Sequence, residues 1–275
     1  MLSNREKWKF DNAHAMFGEA IVRVGDACRA LLPPRCALCA APCTSSLLCA
    51  SCTADMPVVE PACPRCALAT PDASTGGRCL AAPPPYASTV AAWRYAFPVD
   101  RLLQRFKYGG DLALAEPLGD ALARAVVVRG ERPDAIVAMP LSRARQRHRG
   151  FNHAHEIARR VARVLDVPQD AGLVRTRDAP PQAGLAWRER KRNVRGAFVA
   201  SRCEGRTVAI IDDVMTTGAT LDAAARAVLS AGARRVDAWV VARTPPPRDQ
   251  DSGFRGQDDD AMPMVMASLP LVSDP

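Results

Sequence analysis

The chain has 275 residues, a formal net charge of +8 and 48% hydrophobic side chains. These values fit one folded domain with a smaller attachment. No apolar run reaches the roughly 18 residues of a membrane-spanning helix, and the charged N-terminus lacks the apolar core of a signal peptide. We therefore expect a cytoplasmic protein that does not insert into membranes.

The positive charge is concentrated in one part of the chain. Residues 139–198 contain 13 arginines and one lysine against five acidic residues. A region this basic favours phosphate groups, either of a small metabolite or of a nucleic acid. The simpler alternative is a basic surface that contacts only water.

The N-terminal third contains an amphipathic stretch and then most of the cysteines. Residues 1–34 are predicted to form an amphipathic helix with Cys28 on its apolar face, and residues 35–82 form a cysteine-rich segment. Because thiols stay reduced in the cytoplasm, these cysteines indicate metal binding rather than disulfides. Two C-x2-C pairs supply four thiolates for one structural zinc ion: Cys36, Cys39, Cys49 and Cys52.

A second cysteine group follows the first and lacks one ligand. It consists of Cys63, Cys66 and Cys79, and glycine occupies position 76, where a fourth cysteine would complete the pattern. We therefore expect a second zinc site to be incomplete unless Cys43 or a more distant residue joins it.

Residues 86–244 alternate between helix and strand patterns. The first two predicted helices cover residues 99–107 and 114–126. A third is predicted to begin after an Asn152 cap, with Val164 and Leu165 on its inner face, and a fourth is predicted to end at Gly232. The predicted strands cover residues 135–141, 207–212 and 235–243. This alternation predicts an α/β domain with a parallel sheet.

Two further segments do not fit a core element. Residues 175–196 are polar and contain prolines, which is typical of a functional loop, and we expect them to act as a lid. Residues 245–275 are predicted to be a disordered tail.

The segment "VAIIDDVMTTGAT" at residues 208–220 carries the most specific chemistry. Two adjacent carboxylates repel each other, so stability alone does not explain Asp212 and Asp213. The loop after them leads into a helix N-terminus, where backbone N–H groups, threonine hydroxyls and the helix dipole favour a phosphate. Gly218 allows the backbone to approach that anion closely. The two acids then face something neutral on the same ligand, and the vicinal hydroxyls of a ribose fit them.

A ribose 5-phosphate group therefore satisfies the whole segment, which resembles the phosphoribosyl pyrophosphate motif of type I phosphoribosyltransferases. With the cysteine-rich head and the segments "FKYGGD", "MPLSRARQRHRGFN" and "RNVRGAF", the chain resembles the ComF family over roughly residues 15–244. Members are known as competence-associated proteins needed for DNA uptake. The chain departs from the family pattern at Gly76, Ala179 and His153.

This resemblance implies a type I phosphoribosyltransferase-like parallel sheet flanked by helices, with a small N-terminal zinc-binding segment. It implies that Asp212 and Asp213 are the catalytic pair that holds the ribose hydroxyls. The 5′-phosphate is then held by Met215, Thr216, Thr217, Gly218, Ala219 and Thr220. Pyrophosphate, with Mg²⁺, is expected at the loop formed by Pro140, Leu141, Ser142 and Arg143, with Arg145, Arg147 and Arg149 as candidates to screen its charge.

Three functional classes fit these patterns: a phosphoribosyltransferase with an unknown acceptor, a module that binds single-stranded DNA and works with the competence machinery, and a non-catalytic sensor of phosphoribosyl pyrophosphate. A P-loop ATPase is excluded because the dipeptide Gly-Lys of its phosphate loop does not occur. Glutamine amidotransfer is not expected, because residue 2 is leucine rather than the cysteine nucleophile of those enzymes.

Overall fold

The computed structural model describes residues 34–43, 46–59, 61–142, 146–147, 150–170, 172–176 and 196–245. The predicted N-terminal helix with Cys28, most of the predicted lid and the predicted tail beyond Pro245 lie outside these residues. Within the described ranges, no helix has both the length and the apolar character needed to cross a membrane.

A five-stranded sheet forms the centre of the larger domain, and all of its strands are parallel. In spatial order they are β1 (Ser88–Arg94), β7 (Arg235–Arg243), β6 (Thr207–Met215), β2 (Ala135–Ala138) and β3 (Gln169–Asp170). A separate antiparallel pair consists of β4 (Leu173–Arg175) and β5 (Phe198–Ala200). The parallel sheet confirms the predicted fold class.

Helices cover both faces of this sheet. They are α3 (Val99–Tyr108), α4 (Ala115–Arg129), α5 (His153–Leu165) and α6 (Ala219–Ser230), whereas the short helices α1 (Ala50–Ala54) and α2 (Gly77–Ala81) belong to the cysteine-rich segment. Helices α3, α4 and α5 share one core with Ala209 and Ile211 of β6, whereas α6 shares the other core with Val208 and Ile210. Because successive strand residues point to opposite faces, an uninterrupted apolar run is what a strand buried on both faces requires.

The structure corrects three of the predicted boundaries and faces. Strand β2 ends at Ala138 instead of residue 141, because Pro140 has no N–H to continue the ladder. Strand β6 continues to Met215 instead of residue 212, because β7 pairs with it as far as Arg243. Val164 is 47% exposed rather than turned inward, since it lies at the margin of the apolar face of α5.

The β1 edge of the sheet is covered by the cysteine-rich segment. The Thr89 N–H donates to Pro64 O at 2.9 Å, and the Arg94 N–H donates to Pro57 O at 2.7 Å. The Thr89 hydroxyl also donates to Arg65 O at 2.6 Å. Strand β3, at the opposite edge, has only two residues. Neither edge therefore offers a long free row of backbone groups.

Candidate functional site

The candidate site lies where strands β2 and β6 separate. Their pairing runs from Ala135 opposite Val208 to Ala138 opposite Ile211, after which β2 ends and β6 continues. From β2 the chain passes through α5 to one side of the sheet, and from β6 it passes through α6 to the other. In open parallel sheets, ligands bind in the crevice at such a switch point, beyond the carboxyl ends of the strands.

Asp212 and Asp213 lie in β6 just beyond the end of its pairing with β2. The Asp213 N–H donates to the Asp212 carboxylate at 2.9 Å, and Lys107 Nζ lies 2.8 Å from Asp213 Oδ1. The Lys107 and Asp213 side chains are only 18% and 14% exposed. An ammonium group between α3 and β6 therefore reduces the repulsion between the two neighbouring carboxylates.

The loop after β6 forms a tight turn into α6. Gly218 has φ = +82° and is the N-terminal cap residue of α6, with no side-chain hydrogen bond capping the helix. The Ala219 N–H lies 3.4 Å from the Thr217 hydroxyl, and the Asp222 N–H donates to Gly218 O at 2.8 Å. A helix N-terminus of this kind favours an anion through its first N–H groups and its dipole.

The structure gives Gly218 a packing role besides its backbone freedom. A Cβ at this position would lie 2.9 Å from Met215 Cε and 3.1 Å from the Tyr86 hydroxyl. Both neighbours are buried side chains, at 2% exposure each. The predicted reason for this glycine is close approach to a ligand. The packing gives a second reason, because any larger residue would require Met215 or Tyr86 to shift.

The predicted phosphate-binding residues occupy this turn together. Thr216 is exposed, Thr217 and Thr220 are half-buried, and Gly218 and Ala219 are buried in the first turn of α6. The Met215 side chain is packed in the α6-side core, so any ligand contact from Met215 comes from its backbone.

The predicted pyrophosphate loop begins next to the acids. The Met139 N–H donates to Ile211 O at 2.8 Å, which places Pro140 and Leu141 beside the start of the acidic pair. Ser142 is buried, and its carbonyl accepts from the Gln146 N–H at 2.9 Å. Of the arginines predicted for this region, Arg147 is exposed, whereas Arg143, Arg145 and Arg149 lie outside the described residues.

Arg243 belongs to this site, and no motif in the sequence pointed to it. It is 5% exposed at the end of β7, and its Nη1 donates to Met215 O at 2.8 Å, to Thr244 O at 3.0 Å and to Thr216 O. Its Nε donates to Cys66 O at 2.7 Å. One guanidinium therefore joins the backbone of the loop after β6 to the second cysteine group. Burial lowers the pKa of Arg243, whereas the Cys66 thiolate acts in the opposite direction.

A cavity of about 320 Å³ lies between the second cysteine group and the loop. Its wall includes Cys79, Tyr86, Thr217, Asp222 and Arg243. Burial is the main cause that raises the pKa of Tyr86, with the Asp222 carboxylate acting in the same direction, so Tyr86 stays a neutral hydrogen-bond donor. No motif in the sequence points to Asp222.

The first cysteine group converges as predicted. The sulfur atoms of Cys36, Cys39, Cys49 and Cys52 all lie within 4.8 Å of one another. The Cys49 N–H points at Cys36 Sγ at 3.5 Å, and the Cys52 N–H points at Cys49 Sγ at 3.4 Å. Burial opposes ionisation of Cys36, but backbone N–H groups outweigh it and lower the pKa of Cys36 to about 6. The four thiols fit a tetrahedral zinc ion.

The second cysteine group converges as well, with three sulfurs. Cys63, Cys66 and Cys79 have their Sγ atoms within 4.8 Å of one another, and no fourth ligand joins them among the described residues. Cys43 instead lies near the first group without belonging to it, and burial and the neighbouring thiolates raise its pKa. Burial and Cys66 raise the pKa of the Cys79 thiol to about 12. The pKa of Cys63 is lowered, because hydrogen bonds from backbone N–H groups, chiefly that of Gly76, together outweigh the effect of its burial.

Family models match both parts of the chain. One described as "Double zinc ribbon domain" matches residues 27–80, and one described as "Phosphoribosyl transferase domain" matches residues 152–262. The chain is 35% identical over 205 residues to "DNA utilization protein YhgH" of Escherichia coli (strain K12), covering 72% of this chain and 90% of that protein. It is 31% identical to "Competence protein F" of Haemophilus influenzae, covering 61% and 77%. The chain belongs to the ComF family.

One further relative and two solved structures overlap with part of the chain. "Competence protein ComFC" of Bacillus subtilis is 30% identical, over 56% of this chain and 63% of that protein. A glutamine phosphoribosylpyrophosphate amidotransferase from B. subtilis overlaps with a TM-score of 0.32 at 20% identity, over 45% of this chain and 25% of that chain. An adenine phosphoribosyltransferase from Leishmania tarentolae overlaps with a TM-score of 0.32 at 14% identity, over 57% and 76%. The family models and the parallel sheet, rather than these overlaps, carry the fold assignment of this ComF protein.

Proposed function

We propose that this ComF protein binds phosphoribosyl pyrophosphate with Mg²⁺ in the crevice between β2 and β6 and transfers the phosphoribosyl group to an acceptor. One observation carries the proposal. Two adjacent carboxylates lie beyond the end of β2, one short loop before a helix N-terminus whose cap residue, Gly218, has no side chain to occupy the first N–H groups. A ligand with two hydroxyls next to a phosphate matches both features at once.

The acids and the loop divide the recognition of the ligand between them. The ribose hydroxyls donate to Asp212 and Asp213, and Asp213 keeps one carboxylate oxygen for them because Lys107 contacts the other. The 5′-phosphate accepts from N–H groups at the start of α6. Arg243 holds the carbonyl oxygens of Met215 and Thr216 on the far side of the loop, which fixes the direction of its peptide groups.

The leaving group is expected on the β2 side of the crevice. The bond between C1 of the ribose and the pyrophosphate oxygen breaks, and a nucleophilic atom of the acceptor bonds to C1. Pro140, Leu141 and Ser142 bring backbone groups and a hydroxyl to this side, where they stabilise the departing charge. The carboxylates of Asp212 and Asp213, together with the phosphates of the ligand, would hold Mg²⁺, which would supply positive charge next to the pyrophosphate.

Ligand binding tests the site directly. Asp212→Asn and Asp213→Asn should each weaken phosphoribosyl pyrophosphate binding by roughly 10- to 100-fold in calorimetry, because each removes charge-assisted hydrogen bonds. Glu204→Gln is the matched control, since it makes the same charge change at an exposed position before the start of β6. Equal affinity in all four proteins would refute the assignment.

Turnover separates an enzyme from a sensor. The protein is incubated with phosphoribosyl pyrophosphate and a cell metabolite extract, and pyrophosphate release is measured. Release that depends on the extract and is lost in Asp213→Asn supports the transferase. Tight binding without release favours the non-catalytic sensor instead.

We also propose that this protein acts in DNA uptake together with the competence machinery. The names of its relatives refer to DNA utilization and competence, and residues 139–198 carry a large excess of arginine. If the arginines hold single-stranded DNA, binding should be sequence-tolerant, and log K should fall with log salt by roughly 0.7 for each phosphate neutralised. Phosphoribosyl pyrophosphate should compete with the DNA. Affinity that does not change with salt, or no binding at low salt, would contradict the DNA role.

A further inference from the structure

The two cysteine groups are copies of one structural unit, 27 residues apart. The first ribbon (residues 34–54) has a β-bridge between Arg35 and Pro42, and the second ribbon (residues 61–81) has the same bridge between Ala62 and Ala69. Other features repeat at the same interval: left-handed Ala40 and Ala67, and the short helices α1 and α2. In this alignment the first three ligands map onto Cys63, Cys66 and Gly76, and the fourth onto Cys79.

The second ribbon keeps the backbone of a four-thiolate site at the position where the ligand is missing. Gly76 is the N-terminal cap residue of α2, as Cys49 is of α1. The Gly76 N–H hydrogen-bonds the Cys63 thiolate, as the Cys49 N–H bonds Cys36 Sγ. The only missing element is therefore the side chain at position 76.

Space for that side chain has been retained. A Cβ on Gly76 would lie 3.6 Å from Thr70 Cγ2 and 4.0 Å from Cys63 Cβ, which are ordinary contact distances. The backbone has not closed over the position, so a small ligand fits between Thr70 and the three sulfurs.

Thr70 supplies an independent observation at the same place. Its hydroxyl oxygen is inaccessible to solvent and has no hydrogen-bond partner among the described residues. Thr70 occupies the position of Cys43 in the first ribbon, and both N–H groups donate to a proline carbonyl: Cys43 to Pro34 O at 2.7 Å and Thr70 to Pro61 O at 3.1 Å. A buried hydroxyl without a partner is costly, so it indicates an ordered molecule beside it.

We propose that the second ribbon binds zinc through Cys63, Cys66 and Cys79 and keeps its fourth coordination position open to a water molecule that hydrogen-bonds to the Thr70 hydroxyl. Three protein ligands with a water in the fourth position form an exchangeable zinc site, whereas four thiolates form a closed one. The first ribbon is thus closed and structural, and the second accepts a small neutral or anionic ligand, such as a thiolate, in place of its water. When a thiol enters, it loses its proton to solvent and its sulfur bonds to zinc as the water leaves.

The metal content and its ligands test this proposal without any assay of activity. The full chain, purified under reducing conditions without chelators, should contain two zinc ions. X-ray absorption should give an average of about 3.5 sulfur and 0.5 oxygen ligands per zinc, because one closed and one open site contribute equally. One zinc per chain, or four sulfurs per zinc, would overturn the proposal.

Substitutions locate the open position. Gly76→Cys should raise the average to about four sulfurs per zinc and slow the faster phase of zinc release to a chelator by about 10-fold. The matched control, Gly77→Cys, adds a thiol where a Cβ meets nothing within 4 Å, and it should change neither value. Equal effects of the two substitutions would overturn the assignment of position 76.

Thr70→Val tests the hydroxyl and does not depend on a new cysteine. It keeps the shape of the side chain and should speed the faster phase of zinc release by about 10-fold while two zinc ions remain in the purified protein. An unchanged release rate would overturn the role of Thr70. All of these readouts are independent of phosphoribosyl pyrophosphate, so failure here and failure of the proposed function are distinguishable.

Discussion

The cysteine-rich segment and the sheet domain are held in shape by different forces. In the sheet domain, fully buried residues such as Phe106, Leu118 and Trp239 come from strands and helices far apart in sequence. In the cysteine-rich segment, most of the buried side chains are themselves cysteines, with Leu48 and Met56 reaching the core on the α3 side. One region therefore depends mainly on hydrophobic burial and the other on metal coordination, and the two meet through the packing of Leu48 and Met56 as well as through polar contacts.

Removing zinc should give the largest difference between the two regions. Structural zinc contributes about 10 kcal/mol or more to the folding of small cysteine-rich units. A strong chelator should therefore make residues 35–82 susceptible to protease while the sheet domain keeps its circular dichroism signal. Cys203→Ser, which changes a buried cysteine outside the ribbons, should leave the zinc content unchanged. Equal protease resistance with and without zinc would show that the ribbons fold through their apolar contacts alone.

A cavity made in the core of the sheet domain should lower the stability of that domain without changing the zinc content. Leu118 is 0% exposed in α4, so Leu118→Ala should lower the free energy of unfolding by about 2–5 kcal/mol. Urea denaturation followed by tryptophan fluorescence measures this loss. Zinc content in the absence of urea should not change. Val128→Ala is the control on the same helix, because Val128 is 86% exposed. A comparable loss in both variants would contradict the assigned core.

Arg243 tests whether the two regions communicate. Arg243→Met removes the donors to Cys66 O on one side and to Met215 O and Thr216 O on the other, at a cost of about 1–3 kcal/mol for buried carbonyls left without partners. We expect faster zinc release from the second ribbon and weaker binding of phosphoribosyl pyrophosphate in the same variant. Arg234→Met, at an exposed arginine near the start of β7, should change neither. If only one of the two properties changes, Arg243 does not couple the regions.

Lys107 should give the smallest effect. Lys107→Met removes the ion pair with Asp213, which is mostly shielded from solvent, and should weaken phosphoribosyl pyrophosphate binding by about 3- to 10-fold through loss of orientation of the carboxylate. Lys107→Arg should retain most of the affinity. Calorimetry at two salt concentrations checks this. Tighter binding in Lys107→Met would show that the lysine competes with the ligand for Asp213.

Local signals in the sequence predicted much of the fold. The β7 boundaries agree with the prediction, and Asn152 caps α5 by accepting from the His155 N–H at 3.4 Å. The cysteine spacings predicted both sulfur clusters, including the missing ligand at Gly76. These features depend on residues close together in the chain, where periodicity, caps and spacing are informative.

The parts that could not be predicted depend on tertiary contacts. Arg243 and Cys66 are 177 residues apart, and no spacing or periodicity links them. Lys107 was noticed only within a family motif, because its contact with Asp213 requires α3 to pack against β6. The length of β6 was also underestimated, because pairing with β7 rather than local propensity decides where it ends. Whether Asp212, Asp213 and the loop bind the ligand stays a prediction that the binding experiments address.

The hydrogen bonds from Thr89 and Arg94 to the cysteine-rich segment have a consequence for self-association. They occupy N–H groups along the outer side of β1, which would otherwise be the open edge of a hydrophobic sheet. An exposed edge strand is a template for pairing with another chain and hence for aggregation. Loss of metal from the ribbons would uncover this edge. Zinc therefore protects the sheet domain from aggregation, although the metal is not bound by that domain. At high protein concentration, oxidants and chelators should therefore promote self-association of the protein while its sheet is still folded.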